Sequence, residues 1–151
     1  MQPLHPLNSR EVKPLLAQLR ERFGFSGELD YAFLLSSKDR VSLVTREISR
    51  IPLERLRINS AGMYFGELKH GELRLSIEGA QLIGPSCSKN ILELETEHAH
   101  AWLKGEDLPL IHPDSGYVLI RHGADFLGCG KATSEKILNF VPKNRRVRAV
   151  A

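Results

Sequence analysis

Phe126-Leu-Gly-Cys-Gly-Lys131-Ala-Thr-Ser-Glu-Lys136-Ile-Leu-Asn-Phe-Val-Pro-Lys143-Asn-Arg-Arg-Val-Arg148 opens like a strand, loosens at two glycines and closes on a run of cations. Residues 131–151 hold six Lys and Arg side chains against the single carboxylate of Glu135, a net +5. The whole chain carries only +3, so residues 1–130 sum to −2. The positive charge is therefore concentrated at one end. Runs of this kind are often solvated tails. Here Ile137, Leu138, Phe140, Val141 and Val147 are interleaved with the cations, so the segment can pack. Pro142 and the glycines also shape its backbone, which a loose tail does not need. A folded basic face favours polyanions, of which nucleic acid is the commonest.

Working outward, 151 residues suffice for one ordinary domain, or two very small ones sharing a core. A 42% apolar and 26% charged composition is that of a soluble globular protein. No apolar run approaches the ~18 residues needed to span a bilayer, so no membrane role is expected. Met-Gln-Pro-Leu-His-Pro-Leu lacks the basic-then-apolar pattern of a signal peptide. Cys87 and Cys129 form no C-x-x-C pair and read as reduced, inert thiols in the cytoplasm.

Asn8 and Glu11 have the spacing of a capping box, with Leu7 and Val12 as hydrophobic staple. Val12, Leu15, Leu16, Leu19 and Phe23 follow at helical spacing up to Gly24. Pro14 lies too deep for an easy first-turn position, so a later start or a distorted first turn is expected. Residues 31–35 and 41–45 read as a hairpin, 52–57 as a short helix, and 63–68 with 72–77 as strands about a turn at 69–71. Residues 76–85 form a helical or turn element and 90–95 a half-buried strand. Thr96 is placed to cap a helix over 97–104 that buries Ala99, Trp102 and Leu103. Residues 116–121 are a strand that turns at 122–125 into the basic end. The expected class is α+β: an N-terminal α+β unit over 1–70, then a small barrel over 71–151.

Leu73-Arg-Leu-Ser-Ile-Glu-Gly-Ala-Gln-Leu-Ile-Gly-Pro85, then Ala101-Trp-Leu-Lys-Gly-Glu-Asp-Leu108, Gly116-Tyr-Val-Leu-Ile120 and Phe126-Leu-Gly-Cys-Gly-Lys131 follow one another in a family order. This series resembles a PUA domain, a small RNA-binding barrel. With a preceding α+β unit, the chain is similar to Nip-seven-type ribosome-biogenesis factors. Its last stretch, Gly128-Cys-Gly-Lys131 through Asn144-Arg145, looks more like the PUA-like tail of NOL/NOP/Sun-type rRNA 5-methylcytosine methyltransferases. The resemblances imply RNA (rRNA or tRNA) as partner, in ribosome biogenesis or RNA modification. They also imply Lys131, Lys136, Asn139, Lys143, Arg145 and Arg146 as RNA-facing, with Lys89, Lys104 and Arg121 bordering the same face. The N-terminal unit would dock a protein partner, and the backbone at Gly128 and Gly130 would let RNA approach.

Enzymatic chemistry is not expected. No G-x-G-x-x-G follows a strand, and residues 125–132 miss the P-loop pattern at Asp125 and Ala132, so no cofactor is assigned. His98 and His100 stand two apart, which on a helix turns them away from a common metal. Trp102 and Phe126 are candidates for base stacking, although Trp102 shares an apolar stripe with Ala99 and reads as core. Two alternatives stay open: an accessory subunit of a separately encoded RNA methyltransferase, and a protein–protein module whose basic face meets an acidic partner.

Overall fold

The structure, a computed structural model, describes residues 4–50 and 62–148. The expected helix over 52–57 lies outside the described residues. The elements run β1 (Leu4–Pro6), α1 (Ser9–Phe23), β2 (Ala32–Ser36), β3 (Arg40–Val44), α2 (Arg46–Ser49), β4 (Met63–Lys69) and β5 (Glu72–Leu75). After these come α3 (Ile77–Ile83), β6 (Ile91–Glu93), α4 (Thr96–Leu103), β7 (Gly116–His122), β8 (Asp125–Ala132) and β9 (Ile137–Leu138). Single 3-10 turns cover Gly84–Ser86 and Lys143–Arg145. The class is α+β, with a PUA-like barrel in the second half.

Helix α1 begins as its sequence dictates. The Glu11 amide donates to the Asn8 side chain, and the Glu11 carboxylate accepts from the Asn8 amide. Gly24 ends it in the left-handed region at φ 62°. Pro14 neither delays nor breaks the helix, which runs unbroken from Ser9. The proline removes only the amide that would have met the Arg10 carbonyl, and that turn lies on the exposed side. Strand β5 stops two residues short of expectation because the Ser76 hydroxyl accepts from the Gly79 amide and starts α3. Thr96 is not a cap. It is the first residue of α4, and Glu95 before it makes no side-chain capping bond.

Strands β1 to β5 form one antiparallel sheet in sequence order. Strands β6 to β9 form a second, in which β6 pairs parallel to β7 and the rest are antiparallel. This second sheet is buried on both faces. Tyr117, Leu119 and Cys129 face one apolar cluster, and Val118, Ile120 and Ala132 face another. Burial on both sides explains why residues 117–120 are apolar without alternation.

The first cluster ignores the expected boundary near residue 70. It joins Leu15, Leu19, Phe23, Phe33 and Phe65 to Tyr117, Leu119, Phe126 and Cys129. Polar stitching crosses the same seam. The last carbonyls of α1, orphans within the helix, accept from residues 88–90: Phe23 from the Ser88 and Lys89 amides, Arg22 from the Asn90 side chain at 2.6 Å. Arg22 in turn donates to the Tyr117 carbonyl at 2.7 Å. The halves share one core.

Candidate nucleic-acid interface

The two-residue turn His70–Gly71 sets the register that builds one groove of the surface. It pairs Lys69 with Glu72, and so Glu67 with Arg74 two steps on. Arg74 accordingly donates to the Glu67 carboxylate at 2.8 Å. Its guanidinium also lies 4.4 Å from the centre of the Phe140 ring, which the tail brings across from the far side. On the neighbouring strand Arg40 stands 5.5 Å from the Tyr64 ring. From the tail, Arg145 pairs with Glu78 in the first turn of α3. These residues line a groove of about 510 Å³ that runs between the first sheet and the tail. Burial, reinforced by the nearby Glu67 charge, raises the Tyr64 phenol above its ordinary pKa, so the ring enters neutral chemistry only.

Among the Lys, Arg and Asn candidates only Arg145 lines this groove, which Trp102 and Gly128 also border. Lys143 stands exposed in the same 3-10 turn and makes no ion pair among the described residues. Lys131 rests 5.6 Å from the Tyr117 ring. Lys136 pairs with Asp107 at 3.2 Å. The Asn139 amide, and after it Lys136, hold that carboxylate below its usual range. Arg121 donates to Glu93 at 2.8 Å and lies over Phe126. Lys89 sits at the carbonyl end of α1, where a cation offsets the helix dipole. It lines a second cavity of mixed charge with Arg22, Glu72 and Asp114. Lys104 caps the end of α4. The candidates thus rest on separate partners.

Two of them bind the tail to the protein. The Asn139 side chain donates to the Trp102 and Glu106 carbonyls, each at 2.9 Å, and accepts from the Val141 amide at 2.7 Å. Arg146 donates to the Val141 carbonyl at 3.0 Å and fills the space above Gly105, where any Cβ would collide with it. With the Val147 amide donating to the Leu103 carbonyl, the tail is strapped across α4.

The two glycines of β8 serve different ends. Gly128 and Gly130 are buried and face Trp102. A Cβ on Gly130 would come within 2.8 Å of the indole. Gly130 makes room for the tryptophan, whereas Gly128, at φ 132°, borders the groove. Trp102 is fully buried and donates to the Leu127 carbonyl at 3.1 Å. Phe126, expected as a stacking surface, is 94% buried (6% exposed) against Gly84. Burial pushes the thiols up, Cys87 to about 11 and Cys129 to about 12, so neither is a thiolate near neutrality. Among the described residues no group of His, Cys, Asp and Glu is arranged to hold a metal ion.

Residues 89–147 match the family model described as the Methyltransferase RsmF PUA domain. This stretch is a PUA-like domain, resembling the tail of Sun-type rRNA methyltransferases. The curated relatives extend the likeness beyond the PUA domain. "Ribosomal RNA small subunit methyltransferase F" of Aeromonas salmonicida (strain A449) is 24% identical over 142 residues, covering 93% of this chain and 29% of the relative. The protein of the same name from Vibrio cholerae serotype O1 (strain M66-2) is 25% identical over 142 residues, covering 93% of this chain and 30% of its own length. That of Vibrio parahaemolyticus serotype O3:K6 is 29% identical over 94 residues, 58% of this chain and 20% of the relative. The chain therefore spans about three tenths of the first two relatives. The PUA match begins at Lys89, past α3, whereas the sequence reading opens this domain at residue 71.

Sequence reading missed Arg40, Tyr64, Arg74 and Phe140. They are dispersed over 100 positions and meet only through the shared core. One pair had a signal, since a two-residue turn at 70–71 places Glu67 opposite Arg74.

Proposed function

We propose that this chain binds RNA in rRNA modification, holding small-subunit rRNA without doing chemistry on it, in the cytoplasm. The observation that carries the reading is the groove of three arginines and two aromatic rings built against a PUA scaffold. Lys143 and Arg40, neither with an ion-pair partner among the described residues, are left to attract phosphates. Arg145 can exchange an exposed carboxylate for a phosphate oxygen, because a solvent-exposed ion pair contributes only ~0–1 kcal/mol.

The test is fluorescence anisotropy with small-subunit rRNA fragments at several salt concentrations. The Lys143→Ala/Arg145→Ala variant is expected to bind about tenfold more weakly and to flatten the salt slope by about one to two units. An unchanged slope removes both residues from the interface. Failure of the wild-type chain to bind any fragment favours the protein–protein reading.

A second reading is supported by the names and lengths of the relatives: they are called methyltransferases, and this chain spans about 29% of one of them. On it, the chain presents RNA to an RNA-modifying enzyme. Adding the chain to such an enzyme is then expected to raise methyl transfer to rRNA, and the Lys143→Ala/Arg145→Ala variant to raise it less.

A further inference from the structure

The groove does not belong to the PUA half alone. Arg40 and Tyr64 come from the first sheet, Arg74 from its last strand, and Phe140 and Arg145 from the tail. We infer that this seam takes one unpaired nucleotide of the bound RNA, its base laid on the Arg74 guanidinium and its flanking phosphates met by Arg40 and Arg145. The inference rests on the RNA reading above and deepens it. It names the form of RNA that the site selects and makes the N-terminal unit part of the RNA site.

The geometry of Arg74 is the first support. Its planar group is held from below by the Phe140 ring at 4.4 Å and at its edge by Glu67 at 2.8 Å. Even so, 23% of the side chain remains exposed. A guanidinium already held in place loses little further freedom when a base stacks on it, and Arg planes stack on unpaired bases as aromatic rings do. With Glu67 beside it, Arg74 is largely neutralised and is better suited to stacking than to holding a phosphate.

Charge supplies the second support. Arg40 stands exposed beside Tyr64 with no ion pair among the described residues, so its charge is uncommitted. Among the described residues the Arg145 side chain is tied only to Glu78, in a pair whose side chains are 46% and 35% exposed. Two available cations thus flank a flat, near-neutral platform. That is the charge pattern of a nucleotide, with phosphates outside and a base between.

Size and shape supply the third. About 510 Å³ falls in the range of pockets that enclose small molecules, roughly 300–1,000 Å³. Paired bases in A-form RNA are stacked on their neighbours and hide the faces this groove would use. An acidic peptide would use the cations but has no need of the stacking surfaces.

The experiment uses the full chain and an oligoribonucleotide carrying 2-aminopurine, either single-stranded or annealed into a blunt duplex. The single strand is expected to bind at least about tenfold more tightly than the duplex, with quenching of the base as it stacks. Arg74→Lys keeps the charge but removes the plane, so quenching is lost and affinity falls about tenfold while the salt slope holds. Arg40→Ala, on an exposed side chain, lowers the salt slope by about one unit and leaves the quench intact, and Arg40→Lys restores the slope. If RNA binds but neither Arg74→Lys nor Arg40→Ala changes affinity, slope or quench, the groove assignment is wrong and the RNA reading stands. Equal affinity for duplex and single strand also overturns it. If the wild-type chain binds neither RNA, the RNA reading falls as well.

Discussion

Trp102→Ala is expected to lower the free energy of unfolding by about 3–5 kcal/mol. The indole is fully buried in the second cluster among Leu108, Val118, Ile120 and Ile137. Strand β8 has already surrendered its side chain at Gly130 to seat it, so nothing there can move in to fill the void. The variant also leaves the Leu127 carbonyl without its indole donor. Trp102→Phe keeps part of the volume but loses that hydrogen bond, and a smaller deficit of about 1–3 kcal/mol is expected. Trp102 is the sole tryptophan, so urea unfolding has to be followed by circular dichroism rather than by intrinsic fluorescence. A deficit below about 1 kcal/mol for the alanine variant would show that the ring is not a core element and would reopen a surface role.

Asn139→Leu is expected to cost about 2–4 kcal/mol, a large effect for a residue that reads as an RNA contact. Its amide and carbonyl bond the backbone of Trp102, Glu106 and Val141, and an apolar replacement removes all three bonds, leaving the Trp102 carbonyl with its Gly105 amide donor. Asn139→Asp gives a sharper test of mechanism. The carboxylate replaces both donors and faces two carbonyls, so in the folded state its pKa is raised. Its deficit relative to wild type should therefore be greatest near neutrality, shrink as the pH falls through that raised pKa, and level off below about 4, the ordinary carboxyl value, by which point protonation has returned one donor. Unfolding curves for both variants across that range would check this. Equal deficits at all pH values would mean that the amide donors contribute little.

Asn139 and Trp102 show where the sequence was legible and where it was not. The helical stripe of Ala99 and Trp102 was readable because period 3.6 is a local property. The ends of α1 were readable for the same reason, since Asn8, Glu11 and Gly24 act on the nearest turn. The β2–β3 and β4–β5 hairpins follow from turns of a few residues. Asn139 resembles any polar residue in a basic tail until the tail is laid across α4. Likewise the parallel pairing of β6 with β7 joins residues 28 positions apart, Ile91 to Leu119, and no alternation pattern within Ile91–Glu93 announces it. Gly130 was ambiguous for a related reason: an absent Cβ says that something approaches, not what. The candidate groove was the least visible part, because its arginines and rings come from β3, β4, β5 and the tail.

Helix α1 keeps company with both halves at once, closing its end with amides from residues 88 and 89 while Leu15, Leu19 and Phe23 sit in a cluster with Leu119 and Phe126. A transplant of the PUA half onto another protein would have to take this helix with it. A graft cut at residue 71 would expose the Tyr117, Leu119 and Cys129 side of its own sheet to water, and would arrive sticky rather than ready to bind.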